Sequence, residues 1–235
     1  MSKFKLSLTN NQLKIIAMIS MVLDHIGLVF FPQVVLFRVL GRISFPIYAY
    51  MIAEGCAHTK NRKRYLGMIL GMGILFQIVY LIFMKDIYQG ILITFSLSIG
   101  IIYAIEGFAK NKNILYRALM LFILAFIIFF GIVCPILFKE QGFAIDYDAW
   151  GILLPVFIYF APTKLLKLVC CAIVLATMAC FSLPRQWFAL ITIPLLALYN
   201  GERGKLKMKY FFYIFYPLHL VIIYGIMYML YYLNK

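Results

Sequence analysis

Asp24, His25, Arg42 and Glu54 lie inside two apolar runs, LKIIAMISMVLDHIGLVFFP and LFRVLGRISFPIYAYMIAEG, where apolar residues would suit a membrane span better. A charged side chain near the middle of such a span costs about 2.5 to 3.5 kcal/mol on the lenient insertion scale, so four ionisable groups in one hairpin call for a chemical reason. A buried imidazole, whose unperturbed pKa lies near neutrality, suits general-base work on an amine or a hydroxyl. With a turn near Phe31, Pro32 and Gln33, Asp24 and Arg42 fall at nearly equal depth, each about 9 to 12 Å from the turn on antiparallel helices. Neighbouring helical residues point about 100° apart, so Asp24 is read as the partner of Arg42 rather than as the orienter of His25. Glu54 lies about 18 Å further along the second helix and forms a separate station. Pro46 is expected to interrupt that helix between the two.

The elements that must hold these groups follow from composition. The chain has 235 residues, is 65% hydrophobic and only 13% charged, and its mean hydropathy is +0.97. Soluble domains do not have that usage, and the pattern reads as an all-α, polytopic helix bundle forming one domain over residues 1–235. Apolar runs predict about nine spans, at 12–31, 36–58, 65–84, 90–109, 114–137, 149–161, 165–182, 186–199 and 210–233, the sixth and eighth being short. The first is read as a retained helix rather than a cleaved signal, since it carries Asp24 and His25 and leads directly into the second. Alternate loops hold 15 basic residues on one side and 5, Arg38 among them, on the other. The positive-inside rule then places the N-terminus in the cytoplasm and the C-terminus outside.

That clustering also accounts for the net charge of +14. Short basic loops between apolar runs describe membrane topology, not a nucleic-acid surface. The five cysteines, Cys56, Cys134, Cys170, Cys171 and Cys180, include no CxxC pair and read as reduced packing residues. No metal is expected, because the three histidines, His25, His58 and His219, have no ligand spacing. Neither a GxSxG elbow, a GxGxxG loop nor a Walker-type loop is present.

The last span, FFYIFYPLHLVIIYG, carries Pro217 and His219. His219 falls about 14 Å and His25 about 20 Å above the cytoplasmic ends of their helices, a depth difference of about 6 Å, so both could line one shaft with Tyr216 beside them. Before it, YNGERGK offers Asn200 and Arg203 in a Gly-turned loop able to cradle phosphate. Thr94, Ser96 and Ser98 read either as packing or as a cavity lining. Glu106 is read as reaching the headgroups. In KEQGFAIDYDAWG, Asp146 and Asp148 read either as a solvated loop anchored by Trp150 or as a dock for a cationic acceptor.

The stretches LKIIAMISMVLDHIG, RVLGRISFPIYAYMIAEGCAHT, YNGERG and FFYIFYPLHL together resemble the TraX family of bacterial membrane proteins, named after conjugative-pilus acetylation, with DHIG, GRISFP, AEG and YPLHL as its most specific parts. The resemblance implies a multi-pass acyltransferase of the bacterial cytoplasmic membrane that uses acetyl-CoA from the cytoplasm and an essential buried histidine, here His25. On that reading acetyl-CoA is the acyl donor, its phosphates held by Arg62, Arg64, Asn200 or Arg203. The acceptor is an unidentified amine or hydroxyl, on a pilin or a cell-envelope molecule. His25 acts as base or carries the acetyl group, Arg42 braced by Asp24 stabilises the oxyanion, and the thioester passes Glu54. Membrane lipids are partners, nucleic acid is not, and a homo-oligomer stays open. A proton-coupled transporter built on the same Asp, His and Glu groups is the competing class, and a non-enzymatic scaffold the third.

Overall fold

The computed structural model describes residues 7–182, 184–205 and 209–233. Among them there is no strand, only helices and two isolated bridges. The helices pack into two units, one of residues 1–51 with 171–235 and one of residues 52–170.

In the first unit the chain enters α1 (Asn10–Val29) through a capping box, in which Thr9 and Gln12 exchange backbone and side-chain hydrogen bonds. The loop that follows Tyr199 closes the same helix end. Asn10 N–H donates to the Glu202 carbonyl at 2.8 Å and Asn11 N–H to that of Arg203 at 3.2 Å. After a turn at residues 30–34, α2 (Val35–Gly41) packs back along α1. The helical hydrogen bonding then lapses at Arg42 and Ile43, and α3 (Ser44–His58) begins afresh. The expected interruption therefore lies before Pro46, which occupies the first turn of α3, where a missing N–H costs nothing. A 3₁₀ helix (Pro184–Ile191) packs on α2 and on the short α10 (Thr192–Ala197), while α11 (Lys209–Leu233) packs on α1.

Two glycines let α1 and α2 approach. A Cβ on Gly27 would meet Cβ of Phe37, and one on Gly41 would meet the Asp24 side chain from Cβ to carboxylate. The DHIG and GRISFP stretches are thus two sides of one contact. Gly41→Ala is expected to destabilise the protein by about 1–3 kcal/mol, read as a lowered midpoint of thermal unfolding in detergent. An unchanged midpoint would show that the contact yields freely.

In the second unit α5 (Ile91–Lys110) is central, with α4 (Arg62–Met84), α6 (Ile114–Ile128) and α8 (Asp148–Phe160) around it. Thr94, Ser96 and Ser98 are packing residues: Ser98 Oγ donates to the Ile152 carbonyl at 2.7 Å, Thr94 Oγ1 to that of Asp146 at 3.0 Å, and Ser96 Oγ to that of Leu92 at 2.7 Å. A π-helical turn (Phe129–Val133) joins α6 to α7 (Cys134–Leu137) just before Pro135, where a regular helix would clash.

Among the described residues, six helical stretches are long and apolar enough to cross a membrane: Asn10–Val29, Val35–His58, Arg62–Ile82, Ile91–Lys110, Ile114–Leu137 and Ile214–Leu233. The other three expected spans correspond to shorter elements. These are the 13-residue α8, the 17-residue α9 (Lys164–Cys180) and the 3₁₀ helix with α10, against the roughly 20 residues a crossing needs. Of the loop charges behind the expected orientation, Lys3, Lys5, Lys207 and Lys235 lie outside the described residues.

Candidate functional site

Asp24 leaves α1 toward α2 and meets two arginines one helical turn apart. Arg38 Nη1 donates to Asp24 Oδ2 at 2.8 Å and to the Asp24 carbonyl at 3.3 Å. Arg42 Nη2 stands 3.6 Å from Oδ1. The expected Asp24–Arg42 pair is present, but Arg38, read from the sequence as an outer-loop charge, makes the shorter contact. Arg42 is fixed further, since its Nη1 donates to Gln186 Oε1 at 3.0 Å and its Nε to the Arg38 carbonyl at 3.4 Å. The three charged side chains are only 13–18% exposed. Ser20 Oγ donates to the Leu40 carbonyl, tying α1 to the end of α2 beside this cluster.

His25, the next residue, turns away from Asp24 toward α11. Its Nδ1 lies 2.9 Å from the Met21 carbonyl and 3.3 Å from His219 Nε2, and the two rings meet edge to face with centroids 5.0 Å apart. His219 Nδ1 lies 2.9 Å from the Phe215 carbonyl, and its ring stacks on that of Phe215 at 5.1 Å. Carbonyl oxygens only accept, so both Nδ1 atoms carry protons. In the neutral pair the His219 Nε2 lone pair then faces the His25 Nδ1–H, and His25 Nε2 is left as the basic nitrogen. Tyr216 stands beside His219 with ring centroids 5.8 Å apart. His25 is also within electrostatic reach of Asp24, Arg38 and Arg42. The first unit therefore brings together a tautomer-fixed base and two guanidiniums. That combination can take a proton from one group and stabilise negative charge on another.

The remaining sequence-derived residues fall elsewhere. Glu54, in the second unit, is buried and takes Lys167 Nζ at 2.6 Å, with His58 Nδ1 at 3.8 Å. Glu106 does not reach for headgroups. It accepts from Arg62, from Lys110 Nζ at 3.0 Å and from the Tyr159 hydroxyl at 2.6 Å. Arg62, expected on phosphate, is thus held by a carboxylate and lies over the Tyr103 ring at 5.1 Å. Arg64, Asn200 and Arg203 are exposed. Asn200 Oδ1 accepts from Glu202 N–H at 2.9 Å and shapes the loop that caps α1. Asp146 joins loops of the second unit, its Oδ1 accepting from the Tyr88 hydroxyl at 2.7 Å and its N–H donating to the Gln89 carbonyl at 2.9 Å. Asp148 is exposed at the start of α8.

Sequence reasoning missed Arg38 and Gln186. The i, i+4 spacing of Arg38 and Arg42 was a usable signal for the first. Gln186 lies 144 residues beyond Arg42 in a segment expected to be a span, and nothing local marks it.

Compared with known proteins, the family model described as TraX protein matches residues 9–227. A protein of Dichelobacter nodosus named "Probable fimbrial assembly protein FimC, serogroup H1" is 27% identical over 241 residues, covering 90% of this chain and 93% of that one. An uncharacterized protein of Rickettsia prowazekii is 34% identical over 80 residues, covering 33% of this chain and 30% of that one. No solved structure matches.

Proposed function

The chain belongs to the TraX protein family, and from that membership we propose that it is a membrane-embedded acyltransferase acting on a pilin-related or other cell-envelope acceptor. Acetyl-CoA from the cytoplasm is the proposed donor, supplying an acetyl group activated as a thioester. A relative named for fimbrial assembly supports the pilin-related end of that range. The observation that carries the reading is the His25 geometry. Nδ1 is committed to the Met21 carbonyl and to His219, which leaves Nε2 to take the proton of an incoming amine or hydroxyl. As the acetyl carbon–sulfur bond breaks and the new carbon–nitrogen or carbon–oxygen bond forms, that proton passes on to the leaving sulfur. Arg42, held by Asp24 and Gln186, stabilises the developing oxyanion.

In this reading the exposed Arg203, in the same unit as His25, meets phosphates of the donor. Asp146 has a structural role in its loops.

The test is release of free thiol from acetyl-CoA by the purified protein in nanodiscs, across a panel of amine and hydroxyl acceptors that includes a pilin-type N-terminal peptide. Acceptor-dependent release is the expected result. The His25–His219 hydrogen bond also suits a proton relay. Substrate uptake into vesicles driven by a proton gradient, with no thiol release for any acceptor, would make the chain a transporter instead.

A further inference from the structure

The second unit is strongly polarised along its helices. The start of α4, the end of α5 and the end of α8 meet at Glu106, which accepts from Arg62, from Lys110 Nζ and from the Tyr159 hydroxyl. Arg117 brings the start of α6 to the same end, over the Phe108 ring at 4.2 Å. Lys60, Lys63, Arg64 and Lys112 are exposed on the loops and first turns there. None of the four makes an ion pair among the described residues.

The carboxylates that could answer these cations are spent or distant. Glu106 is held as above, and Glu54, near the end of α3, takes Lys167 Nζ at 2.6 Å. The other four of the unit lie at its opposite end, about 30 Å along α5. Asp86 accepts from Tyr88 N–H before α5, Asp146 N–H donates to the Gln89 carbonyl, Asp148 begins α8 and Glu140 lies in the loop before it. The first unit has two side-chain carboxylates, Asp24, held by Arg38 and Arg42, and Glu202. One carboxylate in the chain is then left for four exposed cations. Basic loops orient a membrane chain by their number alone. That role does not require the carboxylates of the same end to be taken up inside, which is what leaves the exposed surface cationic.

We propose that this end of the second unit is a binding surface for anionic phospholipids, whose headgroups meet Lys60, Lys63, Arg64 and Lys112. Two observations favour a lipid over a soluble acidic partner. The cations stand within two residues of, or in the first turn of, stretches long and apolar enough to cross a membrane, Arg62–Ile82, Ile91–Lys110 and Ile114–Leu137. That is the level of the headgroups. Ile114 and Leu115, 77% and 79% exposed, follow directly on the Lys112 loop, so a ligand that is anionic at its head and apolar beyond it covers both kinds of surface. The cations act by summed charge and need no shared pocket. The binding does not depend on the acyl-transfer reading and is measured without acetyl-CoA.

The experiment places the full chain in detergent with equal amounts of phosphatidylglycerol and phosphatidylcholine of the same acyl chains, and native mass spectrometry counts the lipids retained. Phosphatidylglycerol should be enriched, and Lys112→Gln alone should lower that enrichment up to about fivefold. Lys60→Gln, Lys63→Gln, Arg64→Gln and Lys112→Gln together should bring the two lipids close to parity. Lys85→Gln with Lys139→Gln, at the opposite end, should leave the enrichment unchanged. All six side chains are exposed, so the variants keep the fold, which thermal unfolding checks. Equal retention of the two lipids by the wild type, or enrichment that survives in the fourfold variant, would overturn the proposal. So would an equal loss in the Lys85 and Lys139 variant, which would make enrichment a matter of net charge and not of this surface. Displacement of phosphatidylglycerol by an equimolar polyglutamate peptide would assign the surface to an acidic protein and overturn it as well.

Discussion

Replacing His25 with alanine is expected to lower acyl transfer about 10²- to 10⁴-fold while the protein stays folded, the range removed with a general base. The geometry explains why no neighbour substitutes. Asp24 is engaged by Arg38 and Arg42, and the His219 Nδ1–H is spent on the Phe215 carbonyl, so the remaining imidazole holds its basic nitrogen toward where His25 was and not toward an acceptor. His219→Ala should cost less, about tenfold, because the Met21 carbonyl still fixes the His25 tautomer. Thiol release from acetyl-CoA by the two variants, each checked by size exclusion and thermal unfolding, measures both effects. A His25→Ala protein that turns over at the wild-type rate would sink the assignment of the base. A His219→Ala loss as deep as that of His25→Ala would instead place His219 among the reacting groups.

Much of this site was legible in the sequence, for a definite reason. Ionisable residues inside long apolar runs are few and costly, so Asp24, His25, Arg42 and His219 stood out by type alone. Helical rise then put Asp24 opposite Arg42 and brought His25 near the depth of His219. What stayed hidden depends on where helices stop. Arg38 was read as a loop charge because the break in the second span is at Arg42 and Ile43, not at the proline, and a break carried by backbone geometry leaves no strong residue signature. With α2 recognised as a helix of its own, Arg38 falls one turn before Arg42 on the same face.

The 3₁₀ segment holding Gln186 was hidden for a related reason. PRQWFALI is apolar enough to continue a span by composition, while its tighter coil and its packing on α2 are tertiary facts. Glu106 shows the same limit from the other side. A glutamate near a helix end normally reaches water, and only the approach of α4 and α8 to α5 supplies Arg62 and Tyr159 to hold it.

Asp24→Ala is expected to destabilise the protein by about 2–4 kcal/mol, the cost of stripping the counter-charge from a mostly buried ion pair, discounted for the 13–18% exposure of the side chains. Removing the carboxylate takes the shared ion-pair partner from two guanidiniums in an apolar helix pair. Asp24→Asn should cost less, because its amide oxygen still accepts from Arg38 in nearly the same shape. Asp24→Ala combined with Arg38→Met and Arg42→Met should recover most of the loss, since apolar side chains then replace all three charges, as happens when buried ion clusters are exchanged whole. Thermal unfolding in one detergent across the four proteins separates these terms. If Asp24→Ala alone unfolds at the wild-type midpoint, the arginines have another counter-charge. If the triple variant is more stable than the wild type, the three charges are held at a cost in stability.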